Sequence, residues 1–163
     1  MTAKTTPGNK PARERVLLLT RIFDAPRALV FAAWTQPSHL KQWSAPRGFT
    51  VTASAGELRV GGAWHAAMRT PDGTELKLGG IYREIVPGKL LVFTHAWENP
   101  DGSREIETLV TVRFSDLGKK TKMVFRQTGF GSDESRAGHR GGWSECFERL
   151  VEHLETQKSP RRR

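Results

Sequence analysis

The sequence predicts an α+β fold in which a curved antiparallel sheet is covered by one long C-terminal helix. The middle of the chain consists of short alternating segments joined by glycine-containing turns, which is typical of a β-meander. The end of the chain instead repeats apolar residues at helical spacing. A sheet must bury its apolar face, and only the last helix is long enough to cover it, so we expect the two to pack together.

Size and composition predict one folded domain. The chain has 163 residues, 37% of them hydrophobic, which is enough for a core without disulfides. The one cysteine, Cys146, excludes an internal disulfide and a paired-cysteine metal motif, and the histidines show no metal-binding spacing. No apolar run is long enough to span a bilayer, and the first residues do not resemble a secretion signal. We therefore expect a cytoplasmic protein without membrane segment, metal or cofactor.

The net charge of +9 is concentrated at the chain ends. Residues 1–15 carry +3 and residues 158–163 carry +4, whereas residues 16–157 hold 18 basic and 16 acidic groups. A nucleic-acid-binding domain carries its basic stripe on the fold itself, so this distribution disfavours a nucleic-acid partner. We predict disordered basic tails at 1–15 and 158–163 that flank a single domain at 16–157.

The first elements are a strand and two short helices. Residues 16–23 form an apolar run that ends at Asp24-Ala25-Pro26, where Asp24 is expected to cap the next helix. Apolar spacing then predicts helices over 27–34 and 39–43.

Six more strands are predicted after the helices. They cover 49–55, 63–69, 74–86, 90–97, 105–114 and 121–128. Turn signals separate the later ones, for example Pro71-Asp72-Gly73, in which glycine supplies a positive φ.

The last helix is predicted to begin after Gly141-Gly142 and to cover 143–154. Its apolar positions follow the spacing i, i+3, i+4, i+7, i+8 and i+11, which gives one broad apolar face. These positions are Trp143, Cys146, Phe147, Leu150, Val151 and Leu154.

Short motifs spread over residues 16–156 resemble a known family. They are RIFDAP at 21–26, Trp34, Pro37, Leu40, Trp43, GGAW at 61–64, PDG at 71–73, GIYREIVP at 80–87, LVFT at 91–94, Thr121, His139 and Gly142-Trp143. Together they resemble the activator of heat-shock-protein ATPase homologue-like family, which is related to START domains, polyketide cyclases and birch-pollen-type allergens. The resemblance implies the helix-grip fold and a pocket between sheet and helix. It does not imply chaperone activity, because the eukaryotic co-chaperone has a further domain ahead of this one.

Alternation along the strands predicts which side chains face the helix. The inward set is apolar and aromatic with few polar groups, which suits a small hydrophobic or partly aromatic ligand. Plain core packing remains the alternative for the same set. The predicted ligand-binding residues are Trp43, Trp64, Met68, Tyr82, Phe93, His95, Trp97, Thr108, Val110, Phe125, Gln127, Trp143, Phe147 and Leu150.

His95 is the notable polar member of this set. A buried neutral imidazole needs a partner, and Tyr82, Thr108 or Gln127 are the expected ones. A satisfied core histidine, a ligand-orienting group and a general base all remain open. Glu84 is predicted on the same strand face as Tyr82, either as a pocket acid or as a structural ion-pair partner.

Three functions are compatible with the sequence. The first is a non-catalytic protein that binds a small hydrophobic molecule, and it is favoured because no nucleophile, base and acid converge. The second is a cyclase- or hydrolase-type enzyme that uses His95 or Glu84 in the same chamber. The third is an interaction module, for example with a chaperone in a stress response. A homodimer is compatible with all three, and no catalytic residue is assigned.

Overall fold

The computed structural model describes residues 15–158, which form seven strands and three helices. In chain order these are β1 (Val16–Phe23), α1 (Arg27–Thr35), α2 (Pro37–Trp43), β2 (Thr50–Gly56), β3 (Ala63–Arg69), β4 (Glu75–Val86), β5 (Leu90–Trp97), β6 (Thr108–Leu117), β7 (Lys120–Thr128) and α3 (Asp133–Lys158). Among these residues no helix is long and apolar enough to cross a membrane.

All seven strands belong to one antiparallel sheet. Its order is β1-β7-β6-β5-β4-β3-β2, so β1 and β2 lie at the edges. The long helix α3 packs on one face, where the Phe125 ring of β7 lies 4.7 Å from Trp143 and 5.4 Å from Phe147, centroid to centroid. The predicted fold class is confirmed: a curved sheet, a long C-terminal helix, and two short helices after the first strand.

The buried side chains form two clusters rather than one. The larger cluster joins β1, α1, α2, the inner face of β4 to β7, and α3. The smaller cluster consists of Ala45, Val51, Met68 and Leu78 at the β2–β3–β4 end of the sheet. Trp64 packs against both clusters, so the boundary between them runs past its ring.

The last helix begins ten residues earlier than predicted. Helix α3 starts at Asp133, not after Gly142, and the Ser132 hydroxyl accepts a hydrogen bond from the Ser135 amide at 3.0 Å. The serine cap and the acidic residues Asp133 and Glu134 in the first turn stabilise this start. Helix propensity alone disfavours three glycines in ten residues, but here the capped first turn and the packed second half outweigh that cost.

A β-bulge in β4 changes the position of Glu84. Tyr82 pairs with Phe93 and Glu84 pairs with Val92, so two steps along β4 match one step along β5. The extra residue reverses the alternation. Tyr82 is therefore buried as predicted, but Glu84 is exposed, and the prediction that the two share a face is wrong.

The domain ends differ in detail from the predicted boundaries. Arg15, assigned to the N-terminal tail, contacts Asp133 at 3.1 Å, and Lys158, assigned to the C-terminal tail, contacts Asp24 at 2.8 Å. Asp24 therefore pairs with Lys158 and does not cap α1, whose N-cap is Pro26. The rest of both predicted tails, 1–14 and 159–163, lies outside the described residues.

Candidate functional site

Three adjoining cavities lie between the sheet and α3, and α2 or the loop that follows it borders two of them. The inner cavity has about 70 Å³ and lies where the two core clusters meet. Most of its wall is apolar or aromatic, with side chains from both clusters. Its lining residues are Trp34, Leu40, Trp43, Ser44, Ser54, Trp64, Ala66, Met68, Leu78, Tyr82, Leu91, Phe93, His95 and Trp143.

Two larger cavities open from the same region. The helix cavity, of about 350 Å³, is lined by Ser44, Pro46, Phe49, Met68, Leu76, Leu78, His95, Trp97, Ser135, Gly138, His139, Gly142, Trp143 and Cys146. The loop cavity, of about 360 Å³, is lined by His95, Trp97, Glu105, Ile106, Thr108, Phe130, Gly131, Ser135 and His139. Both volumes fall in the range of small-molecule sites.

His95 of β5 lies at the junction of all three cavities, because its side chain contributes to each wall. The residue is only 4% exposed. Burial, with a smaller contribution from nearby His139, lowers the pKa of His95 to about 3, so the imidazole is neutral at physiological pH. Among residues 15–158 no other residue hydrogen-bonds to its ring nitrogens, and a contact of the ring with the main chain of His95 itself opposes only part of the fall in pKa.

Two of the three expected partners of His95, Thr108 and Gln127, are engaged elsewhere, and the third, Tyr82, does not hydrogen-bond to the ring. The Trp143 indole donates to Gln127 Oε1 at 2.9 Å, and Gln127 Nε2 donates to Thr108 Oγ1 at 2.8 Å. The Thr108 hydroxyl then donates to the main-chain oxygen of His95 at 2.9 Å. This chain holds the backbone of β5 and leaves the imidazole free, so the prediction that Thr108 or Gln127 would satisfy the ring is wrong.

Tyr82 is a second buried polar group with spare hydrogen-bonding capacity. It is 6% exposed, it lines the inner cavity, and its hydroxyl has no partner within the described part of the chain. Burial raises the pKa of Tyr82, so the phenol stays protonated. By contrast, all five indole N–H groups of the protein have an acceptor. His95 and Tyr82 therefore stand out against a well-satisfied interior.

The helix cavity exists because α3 presents small residues towards the sheet. Ser135, Gly138 and Gly142 lie on one helix face, and a Cβ on Gly138 would meet no atom within 4 Å. Larger side chains begin one turn later, at Trp143 and Phe147, where the helix packs directly on β7. The same helix is thus open towards its N-terminus and closely packed in its middle.

A hydrogen bond separates the helix cavity from the loop cavity. The Trp97 indole donates to His139 Nε2 at 3.1 Å, and His139 Nδ1 lies 2.7 Å from the main-chain oxygen of Ser135. These contacts require the neutral tautomer of His139 with the proton on Nδ1. Trp97 and His139 line both cavities and form the wall between them.

Cys146 lines the helix cavity, but its thiol is a poor nucleophile near neutral pH. Its thiol is buried, and burial raises the pKa of Cys146 to about 12, so the nucleophilic thiolate is scarce near neutral pH. Residues 15–158 contain no group of three or more His, Cys, Asp or Glu side chains that could hold a metal ion. The pair of His39 Nδ1 and His153 Nε2, 2.7 Å apart, lies between α2 and α3.

The predicted ligand-binding residues divide into three groups. Seven of them line the inner cavity: Trp43, Trp64, Met68, Tyr82, Phe93, His95 and Trp143. Trp97 and Thr108 line the outer cavities. The other five line none of the three cavities and are completely buried: Val110, Phe125, Phe147 and Leu150 in the main cluster, and the polar Gln127.

Sequence reasoning missed the side of the cavities formed by α3 and the loops. Ser135, Gly138 and Gly142 lie before the predicted start of the last helix, although their spacing of three and four residues is itself a helical signal. Glu105 and Ile106 were assigned to β6, which in fact begins at Thr108. Trp34 was assigned to α1 without a place in the cavity wall.

The fold and the buried cavities between sheet and helix define a helix-grip protein. The family model described as "Activator of Hsp90 ATPase homolog 1-like protein" matches residues 24–155. The chain therefore belongs to this family.

Solved structures of bacterial proteins share the fold over nearly their whole length. A crystal structure of the AHSA1 protein from Silicibacter pomeroyi is 26% identical, with a TM-score of 0.80, and the match covers 88% of this chain and 99% of that one. A solution structure from Arthrobacter aurescens is also 26% identical, with a TM-score of 0.80 and coverage of 90% and 89%. A protein from Rhizobium leguminosarum is 27% identical, with a TM-score of 0.73 and coverage of 86% and 94%. No curated protein is detectably similar in sequence.

Proposed function

We propose that this protein binds a small, largely apolar or aromatic molecule in the cavities around His95 and holds it without chemical conversion. The observation that supports this function is the imidazole of His95, which is 4% exposed, faces the cavities and forms no hydrogen bond with another residue of the described chain. An unsatisfied buried polar group costs about 1–3 kcal/mol. A ligand that hydrogen-bonds to the imidazole would recover that cost.

The cavity walls supply the remaining affinity. Trp64, Trp97 and Trp143 surround His95, with ring centroids 5.9, 5.7 and 5.9 Å from the imidazole. Burial of apolar ligand surface against such walls contributes roughly 25 cal/mol per Å². Tyr82 offers a second hydrogen bond in the inner cavity, so the two polar groups would orient a bound molecule.

Binding is a better account of the site than turnover. A general base is most effective when its pKa lies near the working pH, whereas burial lowers the pKa of His95 to about 3. Glu84, the other acid–base candidate, is exposed and lies away from the cavities. We place this binding function in the cytoplasm, since the single buried cysteine suits a reducing compartment.

Titration with N-phenyl-1-naphthylamine tests the proposal. This neutral probe is apolar, carries one N–H donor and fluoresces in apolar surroundings. We expect one equivalent to bind, with quenching of tryptophan emission because Trp64 and Trp143 border the cavities. Saturation only at many equivalents, without a tryptophan response, would indicate surface adsorption and contradict the proposal.

Two leucine variants separate the cavity from the role of His95. His95→Leu should weaken probe binding about tenfold, because one hydrogen bond is worth up to about 1.5 kcal/mol. His65→Leu is the matched control, since His65 is exposed on β3 and lines none of the three cavities. Equal probe binding by both variants would still support a ligand cavity, but it would show that His95 does not orient the bound molecule.

A further inference from the structure

The loop cavity differs from the other two in its charge. Glu105, just before β6, lines its mouth, and no other residue of that wall carries a formal charge at neutral pH when the histidines are neutral. The Glu105 amide donates to the main-chain oxygen of Trp97 at 2.8 Å, which fixes this part of the loop against β5. Within residues 15–158 the Glu105 carboxylate forms no ion pair. It is an unpaired negative charge at the entrance of an otherwise uncharged cavity.

Aromatic rings form the sides of the same cavity. Phe130 and Trp97 lie on His139, with ring centroids 5.1 Å and 6.4 Å away. The negative faces of Trp and Phe rings attract organic cations, as in the aromatic cages that bind quaternary ammonium groups. Neutral His95, at the inner end, can accept a hydrogen bond from an N–H group.

The surroundings do not favour an anion in the loop cavity. Helix α3 begins beside it, and a helix N-terminus attracts negative charge. However, Asp133 and Glu134 already occupy that first turn, and the nearby Arg15 and Arg136 are both paired with Asp133. Arg104 directs its guanidinium towards Gly79 of β4 and does not line the cavity.

From this arrangement we infer that the ligand is an amphipathic amine: its ammonium group lies in the loop cavity between Glu105 and the Trp97 and Phe130 rings, and its apolar part extends past His95 towards the neighbouring cavities. The inference rests on the proposed function and adds the chemical class of the ligand. It explains why an apolar interior has one negatively charged entrance. It also assigns a role to the loop cavity, which a purely apolar ligand would leave unused.

Three probes with the same ring and different head groups test the charge preference. They are 2-phenylethylammonium, neutral 2-phenylethanol and anionic 3-phenylpropanoate, each titrated by calorimetry or tryptophan fluorescence at low salt. We expect the ammonium to bind about tenfold more tightly than the alcohol, and the carboxylate to bind more weakly than the alcohol.

The Glu105→Gln variant tests the source of that preference. An exposed ion pair is worth at most about fivefold in affinity, so the variant should weaken ammonium binding about threefold to fivefold and leave the alcohol unchanged. Glu107→Gln is the matched control, because it removes the same charge two residues away from a side chain that lines none of the three cavities. It should retain the full preference for the ammonium.

The outcomes distinguish this inference from the proposed function. Equal affinity for ammonium and alcohol, or tighter binding of the carboxylate, overturns the amine assignment, as does an unchanged preference in Glu105→Gln. Binding of N-phenyl-1-naphthylamine with no binding of the ammonium overturns the amine assignment while the proposed cavity function stands. Failure of all four probes to bind overturns both.

Discussion

Replacing His95 with leucine should stabilise the ligand-free protein. The imidazole is almost completely buried and forms no hydrogen bond with another residue among 15–158, so the folded state carries much of the cost of removing a polar group from water. Leucine has a similar size and no polar atoms. A residue that lowers stability but faces a cavity is what a binding function predicts, whereas a structural histidine would show the opposite effect.

The expected gain is about 1 kcal/mol in the free energy of unfolding at pH 7.5. An unsatisfied buried group costs roughly 1–3 kcal/mol, and water that enters the cavities offsets part of it. Loss of the edge contacts between the imidazole and the Trp64, Trp97 and Trp143 rings, all with centroids within 6 Å, removes a further part of the gain. For a protein of this size, 1 kcal/mol corresponds to a rise in Tm of roughly 2–4 °C.

Urea denaturation of wild type, His95→Leu and His65→Leu measures this difference. The His65 variant changes an exposed histidine of β3 and should stay within about 0.5 kcal/mol of wild type. If the free energy of unfolding falls by more than about 1 kcal/mol in His95→Leu but not in His65→Leu, the imidazole forms stabilising hydrogen bonds in the folded protein. That result would refute the reasoning from its missing partner.

Three further predictions concern acid sensitivity, the helix–sheet contact and the helical glycines. The folded-state pKa of His95 lies below its unfolded value of about 6.5, so the stability that depends on its neutral form is fully present above pH 6.5 and is lost as the pH falls towards 3. Between pH 7 and 5 the free energy of unfolding of wild type should therefore fall by about 1–2 kcal/mol more than that of His95→Leu. Parallel pH profiles of the two proteins in urea denaturation would contradict this. Trp143→Ala should lower the free energy of unfolding by about 3 kcal/mol, because it removes an aromatic contact and leaves Gln127 Oε1 unpaired in a fully buried site. An unchanged urea midpoint would show that α3 does not pack on the sheet through this ring. Gly141→Ala should raise Tm, with a gain of about 0.5–1 kcal/mol in the free energy of unfolding, because Gly141 lies in the middle of α3 and an added Cβ would meet nothing within 4 Å. A lower Tm would contradict the start of the helix at Asp133.

The sequence was sufficient to predict the sheet and most of the core. Strand β1 and strand β5 have the predicted bounds, since both are dense in apolar residues and end at clear breaks. The turn at Pro71-Asp72-Gly73 is confirmed by the φ of +93° at Gly73. Alternation also identified the buried side of β6 and β7 correctly, because regular ladders preserve the two-residue period.

The errors arose where local rules compete with tertiary packing. The glycines of α3 signalled a turn, but the cap at Ser132 and the docking of Phe147 maintain a continuous helix. Strict alternation placed Glu84 inside, and the bulge after Tyr82 reverses it, which no periodicity reveals. The same limits affected the site: its β5 residues were predicted, whereas Gly138 and other cavity residues contributed by α3 and the loops were not.

The central claim is that the space between sheet and α3 is a ligand cavity. Titration of Gly138→Phe and Gly141→Phe with N-phenyl-1-naphthylamine tests it most directly. Both positions are exposed helical glycines with open space around a Cβ, but only Gly138 lines the helix cavity. The account predicts that Gly138→Phe keeps wild-type stability and loses at least tenfold in probe affinity, while Gly141→Phe binds like wild type. Equal affinity in the two variants, or no stoichiometric binding by wild type, would contradict it.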